Sequence, residues 1–182
     1  MNRREQILDT AAELFARHGF HGVSIADLGA ACGVTGPALY KHFRGKQAIL
    51  SAMLVGISEE LLAEGRRRVR EAGDDKAALE AVIAWHVSFA LEHEALIVVQ
   101  DRDWAALPVE AREKVRETQR KYVEVWVKVL RNLRPDLKPK SARAMVHAAF
   151  GLINSTPHSA LVPAEEMGEL LSRMARAALL AG

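Results

Sequence analysis

Residues 24–43, SIADLGAACGVTGPALYKHF, predict two short helices separated by a tight turn. Ser24 can cap the first helix, with Asp27 three residues later in a variant of the capping box. Gly33 ends that helix after about two turns. Thr35 then caps the second helix, whose first turn contains a proline that needs no N–H there. The spacing is that of a helix-turn-helix.

Helices this short are unstable alone in water, so an upstream helix must supply their packing surface. Gly19 provides a C-terminal stop for such a helix. Its apolar residues recur at helical spacing along one face: Ile7, Leu8, Ala11, Ala12, Leu14 and Phe15. We therefore predict a three-helix domain over residues 1–46, which we call the head.

The remaining residues, 47–182, are predicted to form a second helical domain, which we call the body. Strand signals are nearly absent, and helical patterns are indicated over residues 46–73, 74–93, 94–106, 108–133, 140–156 and 163–180. The segment 94–106 is poorly defined, and Pro157 is expected to end the helix before it. The predicted fold class is all-α, with about nine helices in all.

The composition excludes several classes of protein. With 49% apolar residues the chain can bury a substantial core, but no segment has the roughly 18 uncharged apolar residues of a membrane span. Acidic residues interrupt the N-terminal segment, which therefore does not read as a signal peptide. The single cysteine, Cys32, excludes an internal disulfide and fits a reducing compartment. We expect a cytoplasmic protein that does not bind membranes.

The second short helix of the head carries residues suited to DNA. Leu39 and Phe43 are four apart and form its expected inward pair. In helix-turn-helix proteins the N-terminal part of this helix enters the major groove. Any one of the outer residues also fits a plain turn or a small core, but their combination favours DNA contact. The expected contacts are Ser24, Thr35, Gly36, Pro37, Tyr40, Lys41, His42 and Lys46.

These residues resemble a known family. The segment from about Gln6 to Leu50 is similar to the DNA-binding head of the TetR family of bacterial transcriptional repressors. The resemblance lies in the first helix ending in Phe15 and Gly19, in Ser24-Ile25-x-x-Leu28, in Gly33-Val34, and in Leu39-Tyr40-x-His42-Phe43 followed by Lys46. It implies an all-helical body, dimers on palindromic operators, release from DNA by a small ligand, and DNA contacts at the eight residues above. Gly36 departs from the family pattern, which is often polar or charged there, so little direct base readout is expected from it.

Two C-terminal helices are predicted to pair subunits. Each has an apolar stripe at i, i+3, i+4, i+7 spacing, and part of each stripe must form intramolecular core. Such helices suit a four-helix bundle across a twofold axis. The predicted interface residues are Met145, Ala149, Phe150, Ile153, Leu170, Leu171, Met174 and Ala178.

Aromatic residues in the body predict either plain core or the wall of an effector pocket. Trp85 and Phe89 are four apart on one helix, as are Tyr122 and Trp126 on another, and polar residues nearby can orient a ligand. The candidate pocket residues are Trp85, His86, Phe89, Trp104, Gln119, Tyr122, Trp126, His147, Phe150 and Asn154. The stretch HAAFGLINSTPHS, residues 147–159, resembles family members that respond to acyl-CoA esters. A small, largely apolar effector of acyl-CoA type is therefore expected.

The predicted function is a ligand-responsive transcriptional repressor that binds a palindromic operator as a homodimer. A small helical enzyme and a protein-interaction module are the alternatives. The sequence has no phosphate loop, nucleophile elbow, metal-hydrolase helix or nucleotide fingerprint, so we expect no catalytic residue, no cofactor and no metal. His86 and His93 are about 10 Å apart along a helix, too far to share one ion. The run Arg66–Arg70 is expected to lie in solvent near a helix C-terminus.

Overall fold

The computed structural model describes residues 2–159 and 161–181. These residues form ten α-helices and no β-strand, so the predicted all-α class is confirmed. No single helix among them is long and apolar enough to cross a membrane; α5 and α6 pass that test only when taken together with the turn after them. The helices are α1 (Arg3–His18), α2 (Ile25–Ala31), α3 (Gly36–Tyr40), α4 (Lys46–Glu71), α5 (Asp75–Glu92), α6 (Glu94–Asp103), α7 (Val109–Leu133), α8 (Pro139–Ile153), α9 (Thr156–Ser159) and α10 (Ala164–Leu180).

The predicted caps of the short helices are present. Ser24 Oγ accepts the backbone N–H of Asp27 at 3.1 Å, and the Asp27 carboxylate accepts the N–H of Ser24 at 2.8 Å. The Ser24 hydroxyl also donates to the Asp27 carboxylate at 2.6 Å, and this bond together with the one from the Ser24 N–H lowers the pKa of the Asp27 carboxyl. The Thr35 hydroxyl accepts the N–H three residues on at 3.4 Å. A second capping box, between Asn2 and Glu5, begins α1 and was not predicted.

Two helix boundaries differ from the prediction. The segment 94–106 is α6 followed by a 3-10 turn, Trp104–Ala106. Helix α8 ends at Ile153, and Pro157 lies in the first turn of α9 instead of ending the preceding helix. A proline is tolerated at that position because its missing N–H would have no helical partner.

The packing divides the chain into two compact units. The N-terminal unit comprises the residues up to Ile57 together with Ala95–Arg116, and the body unit comprises Ser58–Glu94 together with the residues from Glu117 onward. Helices α4 and α7 each contribute residues to both units. Packing therefore groups residues 95–116 with the N-terminal residues, whereas the division at residue 46 stays a prediction about function.

Each unit buries its own apolar core. In the N-terminal unit the predicted inward pair, Leu39 and Phe43, is buried together with residues of α1, α2 and α4. Burying a side chain of this size contributes about 1.5–3 kcal/mol, so these two residues hold α3 in place. In the body unit, α10 packs against both α5 and α8.

Candidate nucleic-acid interface and effector site

The turn between α2 and α3 is set by two glycines. Gly33 has φ +64°, a conformation that side chains rarely adopt. A Cβ on Gly29 would lie 2.9 Å from the carbonyl oxygen of Val34, whose own N–H donates to the Gly29 carbonyl at 2.9 Å. The absence of a side chain at residue 29 therefore allows the turn to close tightly.

The outer residues of α3 face solvent. Tyr40 is 55% exposed, although most large apolar or aromatic side chains of this unit are buried. Gly36 is half-buried, and a Cβ built there would meet nothing within 4 Å. The other predicted contacts that are exposed are Ser24, Thr35, Pro37, Lys41 and His42. Six of the eight predicted residues are thus exposed, and Gly36 and Lys46 are half-buried.

Lys46 has an internal role that the sequence did not show. Its Nζ donates to the carbonyl oxygens of Phe20 and Val23, both at 2.6 Å. The ammonium also lies 4.4 Å from the centroid of the Phe20 ring. The lysine therefore fastens the start of α4 to the segment between α1 and α2. An ammonium has three N–H groups, so the third is able to bind a phosphate, and that contact stays a prediction.

The contacts of two further arginines of the N-terminal unit were not predicted from the sequence. The guanidinium of Arg4 lies 4.8 Å from the centroid of Phe43, which places a cation beside the end of α3. Arg102 donates to the carbonyl oxygens of Phe15 and Ala16 at the end of α1. It also pairs with the buried carboxylate of Asp103. Only the second arrangement had a signal in the sequence, the Arg102-Asp103 dipeptide at the end of α6.

A stack of rings fills the interior of the body unit. Three nearly parallel rings contact one another. The His86 and Phe150 centroids are 4.4 Å apart with 15° between planes, those of His86 and Tyr122 are 5.6 Å apart with 11°, and those of Tyr122 and Phe150 are 5.5 Å apart with 26°. Trp126 is nearly perpendicular to all three, at 82–88°. Phe89 meets the His86 ring at 6.1 Å. We call these five residues the aromatic cluster.

A line of polar groups crosses the aromatic cluster. His86 Nε2 lies 3.0 Å from Asn154 Oδ1, and His86 Nδ1 lies 3.2 Å from the Tyr122 hydroxyl. Burial lowers the pKa of His86 to about 4, so the ring is neutral near pH 7 and carries one hydrogen. With the amide oxygen as acceptor, Nε2 donates to Asn154 and Nδ1 accepts from Tyr122. The line therefore joins α5, α7 and the end of α8.

One polar atom in the cluster has no partner. Trp126 is fully buried, and its Nε1 is the one buried side-chain nitrogen or oxygen in residues 2–159 and 161–181 that makes no hydrogen bond. Burial raises the pKa of the Tyr122 phenol, and the nearby Trp126 N–H opposes that rise only in part. An indole nitrogen can only donate, so the hydrogen-bond partner that Trp126 Nε1 lacks is an acceptor.

The structure brings together six of the ten predicted pocket residues, namely the aromatic cluster and Asn154. Trp104 belongs to the N-terminal unit, where Arg116 lies 5.4 Å from its ring. His147 is exposed because the neighbouring Val146 takes the buried face of α8. Trp85 is half-buried outside the cluster and donates its indole N–H to the Leu61 carbonyl at 3.4 Å. Gln119 is half-buried.

The body unit also has an open groove of about 550 Å³ between α5 and α10. Val87, Leu91 and Gly168 form its floor, and Glu165, Glu169 and Arg173 are among its charged residues. None of the predicted pocket residues lines it. The aromatic cluster and this groove are therefore separate features.

The predicted interface residues divide between core and surface. Ala149, Ile153 and Leu171 are buried within the chain itself, so they have no area left for a partner. Met145, Phe150 and Leu170 are half-buried, whereas Met174 is 44% exposed and Ala178 is also exposed. The sequence pattern did not separate the buried from the exposed residues, because the apolar stripes of α8 and α10 are wider than the faces that these helices bury. The outer face of α8 carries the small exposed residues Ala144, Ala148 and Gly151.

The arginine run Arg66–Arg70 is only partly in solvent. Arg67 bonds to Glu64 and Glu71, and Arg68 bonds to Glu64. The Arg68 guanidinium also lies 5.3 Å from the centroid of the Trp85 ring.

Comparison with known proteins identifies both parts of the chain. Residues 7–53 match the model for bacterial regulatory proteins of the tetR family, and residues 72–158 match a tetracyclin repressor-like C-terminal domain. The transcriptional repressor KstR2 of Rhodococcus jostii is 30% identical over 129 residues, which are 70% of this chain and 63% of that protein. The fatty acid metabolism regulator protein of Bacillus subtilis is 24% identical over 83% of this chain and 79% of its own.

Solved structures share the fold over almost the whole chain. A TetR-family regulator from Bordetella parapertussis has a TM-score of 0.87 at 27% identity and covers 100% of this chain and 95% of its own. AibR, solved with isovaleryl coenzyme A and operator DNA, has a TM-score of 0.76 at 20% identity, with coverage of 95% and 97%. The regulator FadR of Bacillus subtilis, solved with stearoyl-CoA, has a TM-score of 0.73 at 19% identity, with coverage of 94% and 96%.

Proposed function

Because the chain belongs to the TetR family of bacterial transcriptional regulators, we propose that it is a cytoplasmic repressor that binds a palindromic operator as a homodimer and leaves it when an acyl-CoA ester binds. Members of this family are regulators and not enzymes, as the sequence analysis expected. The observation that supports DNA binding most strongly is the exposed Tyr40 on a helix held by the buried Leu39 and Phe43.

The proposed DNA contact uses α3 in a major groove. Tyr40 and Lys41 reach phosphates or base edges, and the open space at Gly36 lets the backbone approach the DNA. Arg4 adds a cation beside the same surface. One small head makes few contacts, so high affinity requires two heads on half-sites about one helical turn apart.

The proposed dimer pairs the exposed faces of α8 and α10. Met174 and Ala178 supply apolar area, and the small residues on α8 permit close helix packing. The N-terminal half of α10 carries Glu165, Glu166 and Glu169, whereas Arg173 lies in its C-terminal half. Two antiparallel copies of this helix across a twofold axis therefore bring opposite charges together.

The proposed effector places its acyl carbonyl in the aromatic cluster. The unpaired Trp126 N–H is a donor that a thioester carbonyl satisfies. A carboxylate fits this position poorly, because the cluster contains no cation and His86 is neutral near pH 7. Arg68 is already paired with Glu64. Two fold neighbours are described with acyl-CoA ligands, which agrees with a thioester and not with a free acid.

The DNA proposal is tested by selecting a duplex from random sequence and titrating it with the protein. We expect a palindrome, with an affinity that falls steeply as salt rises, since Lys and Arg displace counterions from phosphates. Binding of equal strength to random duplexes, or no binding, contradicts the proposal and favours a head that binds a protein partner.

The effector proposal is tested on the same complex with stearoyl-CoA, isovaleryl-CoA and, as a control, stearate. At least one thioester should dissociate the operator, and stearate should not. Trp126→Phe should weaken binding of that thioester by about tenfold, the effect expected of one buried hydrogen bond, and leave operator affinity without ligand unchanged. Release by stearate, or wild-type thioester affinity in the variant, would rule out the carbonyl site.

A further inference from the structure

Tyr122 lies directly against the backbone of α4. A Cβ built on Gly65 would be 2.6 Å from Cε2 of Tyr122, a distance that side-chain atoms do not tolerate, and 3.3 Å from Cδ2, which is tighter than most contacts. Both residues are buried and both belong to the body unit. The ring therefore occupies the space that any other residue at position 65 would fill.

The same ring is bonded to the centre of the aromatic cluster. The Tyr122 hydroxyl meets His86 Nδ1 at 3.2 Å, and the other nitrogen of that imidazole meets Asn154. Trp85 is the residue before His86, and its indole N–H donates to the carbonyl of Leu61. Leu61 lies one helical turn before Gly65 on α4. Two adjacent residues of α5 thus act on the same turn of α4, one directly and one through Tyr122.

We propose that Tyr122 is the positioning residue through which a ligand in the aromatic cluster displaces α4. This inference rests on the proposed function, and it adds the contact that carries the regulation. A ligand carbonyl oxygen that accepts from the Trp126 N–H can also accept from the nearby Tyr122 hydroxyl, and it then competes with His86 Nδ1 for that donor. The ring has no clearance at Gly65, so a shift of Tyr122 toward α4 must move the helix. Helix α4 is continuous from Gly65 back to Lys46, which holds the Phe20 and Val23 carbonyls.

The test uses two glycines of the same helix. Gly65→Ala forces the helix and the ring apart, whereas at the exposed Gly56 a Cβ meets nothing within 4 Å. Both substitutions add the same methyl group and the same helix propensity. We expect Gly65→Ala to lower operator affinity without any ligand by about tenfold and to raise stearoyl-CoA affinity, because coupling between two sites is reciprocal. Gly56→Ala should leave both affinities unchanged.

A double variant separates coupling from damage to the fold. Adding Tyr122→Ala to Gly65→Ala removes the clash, so operator affinity should return toward that of Tyr122→Ala alone. All titrations are made below the melting transition of each variant. If Gly65→Ala lowers both affinities together, the contact is merely structural. If its two affinities match those of Gly56→Ala, the inference is wrong.

Tyr122→Phe tests the same link if Gly65→Ala does not fold. It keeps the ring at Gly65 but breaks the bond to His86, so release by stearoyl-CoA, measured against the variant's own operator affinity, should weaken about fivefold. Normal release in this variant would refute the coupling. If the wild-type protein binds its operator but no acyl-CoA releases it, only the proposed effector is refuted. The comparison of Gly65→Ala with Gly56→Ala without ligand then still decides the role of Tyr122.

Discussion

Replacing Lys46 by methionine tests whether this lysine acts inside the protein or on DNA. The side chain donates two hydrogen bonds to the carbonyls of Phe20 and Val23 and sits over the Phe20 ring. Methionine keeps most of the apolar stem but loses the charge and all three N–H groups. Because the site is half-buried, water replaces part of what is lost, so we expect a loss of about 2 kcal/mol from the free energy of unfolding.

That loss should lower the melting temperature by roughly 4–8 °C in a chain of this size. Lys41→Met is the matched control, because Lys41 is exposed on the same unit. We expect the control to keep its melting temperature while its operator affinity falls and its salt dependence drops by about 1.8 in log–log slope, because the dimer loses two phosphate contacts, one in each subunit. Calorimetry and fluorescence anisotropy give the two quantities. If Lys46→Met also keeps its melting temperature and changes only the slope, the internal role is refuted.

Three further predictions concern the head, the cluster and the dimer. The free energy of unfolding of Gly36→Ala should lie within about 0.5 kcal/mol of the wild-type value, since a Cβ there meets nothing within 4 Å. The variant should nevertheless bind the operator more weakly in a titration. Unchanged binding would mean that the backbone does not approach the DNA at residue 36. The pKa of His86 is lowered from 6.5 to about 4 because burial disfavours the charged ring, so the unfolded chain takes up the proton first as pH falls. The stability that the neutral ring contributes is present above pH 6.5 and lost toward pH 4. Between pH 7 and pH 5 the free energy of unfolding, measured in urea, should therefore fall by about 2 kcal/mol, and His86→Gln should not show this fall. Met174→Glu should shift sedimentation toward the monomer, whereas Val109→Glu, at another exposed apolar position, should not. If both variants remain dimers, the interface does not include this face of α10.

The local helix signals in the sequence predicted the head well. Ser24 bonds to Asp27 and Thr35 bonds to Ala38, each three residues along the chain, and these hydrogen bonds form as the capping rules indicate. The inward pair Leu39 and Phe43 follows from helical period alone. Such features depend on the backbone of one segment, so a sequence is enough to place them.

The contacts that join distant segments were not predictable in this way. The partners of Lys46 are main-chain carbonyls 23 and 26 residues earlier, which leave no trace in side-chain pattern. Helical period grouped Trp104 and His147 with the pocket, because period reports which residues share a face but not what that face packs against. The same limit applies to Ala149 and Ile153, whose stripe serves the chain's own core.

The fit of Tyr122 against Gly65 also constrains how this protein can diverge. A larger residue at position 65 is tolerable only where the ring at 122 has already become smaller, so in descendants of this gene the two positions should change in that order. Pairs linked in this manner leave a correlated record in alignments. Such a record would mark the lineage in which this close contact between α4 and α7 arose.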